Sequence, residues 1–356
     1  MIMNIEFIQR EDNVAWNSNV LLLKHYSFLN SSARLDFLQK EGKNIVDFSI
    51  VIDNQFAGIL TGNISKSKIF GNYLEFKHSP LVRDEFNTDE VWEFVFDFCK
   101  NISEENNCFM YTVAPLYREN NVLLNMYKEL GMIESPVHNI DALVSQTFDL
   151  SKTEEDLRHD MSSSTRNNIN KLMKNEDIST KVFKDNSQFE VFRKFHDQTK
   201  QLKGYADKPS AVLLDELQMQ VNENMCYMIV GYFKEKAISV WQCTVFGKYM
   251  YIYQAGSDTE FREKNIRVTY LLFWEAVKLA KELGCEILDL FGGMVPEGHE
   301  GTKHPWRGVN DFKTGLGGTK VTYLHPRDYP LNKLKYKLYY QYAKFRVERK
   351  GYTIEW

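Results

Sequence analysis

The sequence predicts an α/β (α+β) chain built as two tandem copies of one strand–helix unit, and three observations predict it. Its 356 residues exceed one ordinary core, which holds about 150 residues. The same order of strand-like and helix-like segments runs twice along the chain. Between the two runs, Ser151-Lys152-Thr153-Glu154 has the spacing of a capping box that opens a helix. The expected division is a first domain over 1–150 and a second over 151–356, with a linker helix at about 151–175.

In the first half, Ile45–Ile52 and Phe56–Ile64 flank the polar turn Asp53-Asn54-Gln55, and Lys68–Phe76 follows as a third strand. Asp89–Lys100 sets Val91, Trp92, Val95, Phe98 and Cys99 on one helical face. A strand, Cys108–Val113, and a helix, Asn120–Leu130, come next, and Gly131 stops that helix. The second half repeats the order. Met225–Phe233 and Ala237–Phe246 flank Lys234-Glu235-Lys236, and Tyr249–Tyr253 is the third strand. Ile266–Leu283 then carries Val268, Leu272, Ala276, Leu279 and Leu283 on one stripe, and Glu286–Phe291 closes the repeat. Helical segments precede both strand sets, at about 16–40 and 187–222. Three strands, a helix and a further strand behind leading helices is the element order of the GNAT acyltransferase fold. The fold expected is therefore two tandem GNAT-like domains.

Composition is that of a globular protein, with 43% hydrophobic and 26% charged residues. No stretch approaches the roughly 18 apolar residues that span a bilayer, and the N-terminus does not read as a signal peptide. The five cysteines are scattered in apolar runs without CxxC or Cys/His spacing, which reads as buried thiols in a reducing cytosol. No metal is expected. His299 and His304 lie in a glycine-rich loop whose spacing fits no helical ligand pair. Charge is asymmetric: residues 300–356 hold twelve Lys/Arg against five Asp/Glu, so they carry +7 and the remainder −11. That imbalance points to a polyanion or an anionic surface near the C-terminus, or to a solvated basic face. There, Leu331–Arg349 reads as a helix with an apolar stripe at Leu331, Leu334, Leu338, Tyr342 and Phe345. Its opposite faces hold Lys333, Lys335, Lys337, Lys344 and Arg346. Such a helix could meet a nucleic acid or a membrane surface, or pack on the domain with its basic face in water.

Gly308-Val309-Asn310-Asp311-Phe312-Lys313-Thr314-Gly315-Leu316-Gly317-Gly318 resembles the G-x-x-x-F-K-x-x-[FL]-G-G segment of the FemABX peptidyltransferases. Thr165-Arg166-Asn167-Asn168-Ile169, Ala255-Gly256-Ser257 and Leu288-Asp289-Leu290-Phe291-Gly292-Gly293 are also similar to segments of that family. Weaker echoes are Ser79-Pro80 for the family's G-P and Leu130-Gly131-Met132 for its L-G-F. The resemblance covers nearly the whole chain and is strong from about residue 150. It implies the compact subgroup, since no sustained heptads supply the coiled-coil arm of longer members.

The resemblance implies an aminoacyltransferase that moves an amino acid from aminoacyl-tRNA to an amine of a nucleotide- or lipid-linked peptidoglycan precursor. It implies no cofactor, the charged tRNA being a co-substrate, and a cytoplasmic site of action with the inner membrane face as a candidate contact. The acyl ester is already activated. What remains is to hold both reactants, stabilise the oxyanion and present the amine unprotonated, against an ordinary amine pKa of about 10.4. Lys313 is the candidate for the electrostatic task, and Phe312 a candidate platform for the terminal adenine. Asp84 is the candidate base, one position later than the family pattern places its acid. Lys203 and Tyr205 stand where the family has its R-x-G-F/Y segment, with Lys giving a point charge in place of a fork. Tyr253 and Ser257 complete the expected substrate contacts, in a cleft between the domains.

Two alternatives stay open. One is an acyl-CoA-dependent GNAT-like N-acyltransferase acting on a sugar or other glycan precursor. Such enzymes hold pyrophosphate on a glycine-rich turn, where this chain has Arg262-Glu263-Lys264-Asn265-Ile266-Arg267-Val268, without glycine. The other is a non-catalytic glycan-binding protein of degenerate transferase fold.

Overall fold

A computed structural model describes residues 3–136, 143–203, 210–263, 266–295, 304 and 306–349. The chain divides into two compact units, Met1–Val144 with Val295–Arg307 and Thr322–Trp356, and Ser145–Met294 with Gly308–Val321. Each unit is built on one sheet.

The first unit begins with β1 (Ile5–Gln9), α1 (Asn13–Val20), α2 (Ser32–Lys40), β2 (Asn44–Ile52), β3 (Gln55–Ser67), β4 (Gly71–Lys77) and β5 (Leu81–Val82). It continues through α3 (Asp89–Glu105), β6 (Cys108–Ala114), α4 (Asn121–Glu129) and β7 (Ile133–Glu134). The second unit takes up β8 (Val144–Asp149), α5 (Glu154–Asp160), α6 (Ser163–Met173), β9 (Ile178–Phe183), α7 (Phe189–Lys203) and α8 (Ser210–Asn222). To it also belong β10 (Cys226–Phe233), β11 (Lys236–Phe246), β12 (Tyr249–Ser257), α9 (Thr259–Glu263), α10 (Thr269–Glu282), β13 (Ile287–Asp289), α11 (Arg307–Gly315) and β14 (Thr319–Thr322). The chain ends in β15 (Arg327–Pro330) and α12 (Lys333–Arg349).

The repeat read from the sequence is present in both sheets. Their strand orders, β1-β2-β3-β4-β6-β15-β7 and β9-β10-β11-β12-β13-β8-β14, correspond place for place. Antiparallel hairpins turn at Asp53-Asn54 and Lys234-Glu235, whose positive φ angles give the twist that short hairpins need. In both units a helix then crosses over to a strand parallel to the third, so β6 lies beside β4 and β13 beside β12. Side-chain caps fix the helix starts: Thr88 for α3, Asn120 for α4 and Ser162 for α6.

The sixth place of each sheet departs from chain order. β8, which follows the first half of the sequence, lies between β13 and β14 of the second sheet. β15, from the end of the chain, lies between β6 and β7 of the first, with Asp328 opposite Thr112 and Ile133. The C-terminal segment, expected with the second domain, therefore belongs to the first unit. A strand's hydrogen-bonding edge accepts any segment that can reach it, and sequence order does not decide which one does.

Two further expectations are corrected. The linker helix at 151–175 is two helices, α5 and α6, broken at Met161, whose backbone is extended (φ −71°, ψ 153°). Thr153 caps α5, while the Ser151 hydroxyl donates to the Asp149 carboxylate at 2.7 Å. On α12 the core meets neither the apolar stripe nor its basic neighbours but a third side of the helix. Tyr336 and Ala343 are buried, with Tyr339 and Tyr340 packed beside them against Phe109 and Phe70. Of the stripe Leu331, Leu334, Leu338, Tyr342 and Phe345, all but the half-buried Leu331 are exposed, so the alternative in which the stripe packs on the domain does not hold.

All five cysteines are buried free thiols, and burial pushes the Cys226 thiol up to about 12. Among the described residues, no helix is long and apolar enough to cross a membrane, and no three His/Cys/Asp/Glu side chains cluster as metal ligands. His299 lies outside the described residues. His304 is buried against Trp306, whose backbone N–H donates to its Nδ1 at 3.2 Å.

Candidate active site

The two sheets differ where their parallel strands end. In the first unit β4 and β6 stay paired through Lys77 and Ala114, the last residue of each. In the second, β12 and β13 pair only at Tyr249↔Ile287, Met250↔Leu288 and Tyr251↔Asp289. Past that point β12 runs on to Ser257 beside β11, while Leu290 turns the other way and donates its N–H to Gln146 O at 3.0 Å. The parallel strands thus part in the second unit and not in the first.

A tight turn holds the opening. Phe291, Gly292 and Gly293 all have positive φ (49°, 75° and 64°), a costly run for a chain carrying a phenylalanine. Several bonds hold the turn. The buried Asp289 carboxylate accepts the Phe291 N–H at 2.7 Å and a short hydrogen bond from the Ser145 hydroxyl. Ser145 Oγ accepts from Gly292 N at 3.2 Å. From α11, the half-buried Lys313 ammonium donates to Leu290 O at 2.7 Å and, more closely, to Gly292 O.

Tyr253 faces the same turn. Gln242 pairs with Gln254 and Cys243 with Ile252, which leaves Tyr253 as the extra residue of a β-bulge. A bulge re-aims the side chain it carries, and the Tyr253 ring meets Phe291 edge-on at 5.5 Å, as Tyr251 does at 5.7 Å. Lys313 thus holds the carbonyls on either side of Phe291, Asp289 holds its N–H, and two β12 tyrosines meet its ring.

The motif around Lys313 is more regular than its glycines suggested. Gly308 lies within α11, and the sharp bend comes after it, at Gly317 and Gly318 (φ 87° and 77°). A Cβ at Gly317 would sit 2.7 Å from Asp160 O, and one at Gly318 2.5 Å from Thr147 O, so both positions exclude a side chain. Gly315 O accepts from Ser162 N at 3.0 Å and from the Thr165 hydroxyl at 2.8 Å. This ties the Thr165-Arg166 segment to the lysine's helix.

Of the expected residues, Lys313 and Tyr253 converge on the turn Leu290–Gly292, Lys313 on its carbonyls and Tyr253 on the Phe291 ring. Phe312 sits beside Lys313 but points into the core, edge-on to Tyr270 at 5.2 Å and Trp241 at 6.5 Å. Ser257 ends β12 and shares a 2.8 Å hydrogen bond with Ser239. Asp84 belongs to the first unit, where it forms an exposed ion pair with Lys24 at 3.0 Å. Lys203 ends α7, while its side chain, like Tyr205, lies outside the described residues. The clamp residues Asp289, Ser145 and Phe291 carried no role in the sequence reading. The signal for Asp289 and Phe291 is the family-like segment Leu288–Gly293, with a phenylalanine and two glycines directly after a strand, while Ser145 stands in no such segment.

Residues 160–312 match the acetyltransferase (GNAT) domain family. No curated protein is significantly similar to the chain in sequence. Among solved structures, FemX superposes with a TM-score of 0.77 at 14% identity, covering 95% of this chain and 99% of FemX. The fold is that of FemX. It is also shared, less closely, by L-PGS from Bacillus licheniformis (TM-score 0.57, 13% identity, 95% and 99% covered). A tandem GNAT protein from the clavulanic acid biosynthesis pathway is similar too (TM-score 0.56, 10% identity, 91% and 97% covered). The chain therefore has two GNAT-like domains, the second of which carries the match to the acetyltransferase (GNAT) domain model.

Proposed function

We propose that this chain is an aminoacyltransferase of the FemABX type. On this reading it moves an amino acid from aminoacyl-tRNA to an amine of a peptidoglycan precursor, nucleotide- or lipid-linked. The observation that carries this reading is the parting of β12 from β13 beside a lysine whose ammonium is held in place. An acyl ester threaded between the strand ends would bring its carbonyl near backbone N–H groups of β12 and near a fixed cation. The charge of Lys313 opposes the negative charge that develops on the tetrahedral oxyanion or on the departing ribose oxygen, a contribution of about 3–4 kcal/mol for one such donor. The first unit, whose parallel strands stay closed, is left for the acceptor.

Two features favour tRNA over acyl-CoA as donor. The segment Arg262–Val268 has no glycine. At the start of α10 the N–H groups of Tyr270 and Leu271 already donate to Arg267 O and Val268 O. Val268 is buried there, and a Cβ at Gly231 would lie 2.7 Å from its Cγ2. First-turn donors that are engaged in this way do not cradle a pyrophosphate.

The experiment is transfer of a labelled amino acid from total charged tRNA to nucleotide- and lipid-linked precursors, with and without RNase. Label that appears only with intact tRNA supports the reading. RNase-insensitive transfer from acetyl-CoA, with saturable binding of that thioester, would replace it with the acyl-CoA alternative.

A further inference from the structure

Helix α12 is apolar on two sides. One side, with Tyr336 and Ala343 buried, closes the first unit's core. The other presents Leu334, Leu338, Tyr342 and Phe345 at 72%, 59%, 41% and 61% exposure. Their spacing of four, four and three residues keeps them in one line along the helix. Four large apolar side chains aligned in water are not the scattered exposures of an ordinary surface.

The surroundings of this line are cationic. Lys335 and Arg346 flank it on one side and Lys337 and Lys344 on the other, with Lys333 and Arg349 at the ends. Glu348 is the single carboxylate of the helix. The β3–β4 hairpin extends the patch: Phe70 packs on Tyr339 and Tyr342 at 5.6 and 5.7 Å. Beside it Ile69 is 68% exposed, next to the exposed Lys68 and Lys66. Ridge, flanking cations and hairpin tip all belong to the first unit.

We propose that this surface docks on an anionic lipid bilayer. Leu334, Leu338, Phe345 and Ile69 would enter the headgroup region, and the flanking lysines and arginines would meet lipid phosphates. An apolar line bordered by cations is the pattern of an interfacial helix, and each basic residue near an anionic membrane adds to the attraction. A nucleic-acid face sets cations against phosphates and aromatic rings against bases, and leaves the exposed Leu334, Leu338 and Ile69 without a role. A protein groove would be satisfied by the apolar line alone and leaves the six basic side chains of the helix unexplained. The inference concerns location and is independent of the transfer reaction.

The test is sedimentation of the full chain with phosphatidylcholine vesicles, pure or containing phosphatidylglycerol. Pelleting with the anionic vesicles is expected, weakened by salt. Leu338→Ser with Phe345→Ser should reduce the partition constant about tenfold or more, the size expected when two large apolar side chains no longer enter the membrane. Lys335→Gln, Lys337→Gln and Arg346→Gln together should weaken binding and flatten its salt dependence. All five positions are exposed, and thermal midpoints matching wild type would show that the variants fold. The cation variant reads the same surface should the apolar one misfold. The proposal is overturned if wild type ignores anionic vesicles or if the apolar variant binds them as wild type does. It is equally overturned if the cation variant loses affinity for bulk tRNA while vesicle binding is unchanged, which would make the helix an RNA face.

Discussion

The ammonium of Lys313 donates to the backbone carbonyl of Leu290 at 2.7 Å, across 23 residues of chain. One side chain therefore both pins the left-handed turn after β13 and sets a positive charge where the parallel strands part. Lys313→Met should disturb both roles. Turnover from pre-charged tRNA should fall about 100- to 1,000-fold, and the denaturation midpoint should drop as two carbonyls lose a charged donor, by about 1–3 kcal/mol. Single-turnover transfer and urea unfolding, run on the same variant, separate the roles. A lowered midpoint with turnover within about threefold of wild type would leave Lys313 as a structural clamp only.

Gly256 is crossed closely by α7. A Cβ there would lie 2.8 Å from Phe195 Cβ and 2.9 Å from His196 N, one of them backbone that cannot swing aside. Gly256→Ala should force α7 off β12 at a cost of about 1–3 kcal/mol. Chemical denaturation measures this. Because Ser257 and Tyr253 lie on the same strand, KM for the donor should rise as well. An unchanged midpoint would mean that the helix has slack that this packing does not suggest.

Asp328 lies fully buried in β15, accepting from the Thr112 hydroxyl at 2.6 Å and the Tyr336 hydroxyl at 3.1 Å. Burial pushes its carboxyl up to about 7 against these two hydrogen bonds and a third from the Ser135 side chain. The folded chain thus favours the protonated form. This contribution to stability is complete below the ordinary carboxyl range near 4 and is lost as pH rises through about 7. Asp328→Asn should remove that dependence. Relative to wild type the variant should gain stability between pH 5 and pH 8, on the order of a few kcal/mol. Urea midpoints at the two pH values decide it, and a pH-independent difference would mean that Asp328 is ionised throughout.

The exchanged strands predict that the halves cannot be separated at residue 150. Deleting residues 322–356 removes β15 from between β6 and β7 and strips Tyr336 from the core at Phe109 and Met110. The truncated chain should lose the first unit's cooperative unfolding and become protease-sensitive there, seen by limited proteolysis with mass spectrometry. A first unit that unfolds at the wild-type midpoint without β15 would refute this.

The element order was legible because it rests on local physics. Alternation in Ile45–Ile52 and Ala237–Phe246, the 3.6-residue stripe of Thr269–Glu282, and a helix that starts at Asn120 and stops at Gly131 all act within a few residues. The motif around Lys313 was visible for the same reason, since glycines at 317 and 318 announce a bend that no side chain fits. Tertiary structure alone decided the rest. Helical periodicity finds the apolar line Leu334-Leu338-Tyr342-Phe345 but cannot say which side of α12 meets the core, because tyrosines on the opposite side pack equally well. Nor could it foresee that Tyr253 would be the bulged residue of β12, or that Lys313 would hold the carbonyls on either side of Phe291 while two tyrosines meet its ring. Which strand fills the place beside β6 is likewise open in the sequence. Any extended segment offers the same backbone donors and acceptors, and only closure of the whole chain selects β15 from its far end.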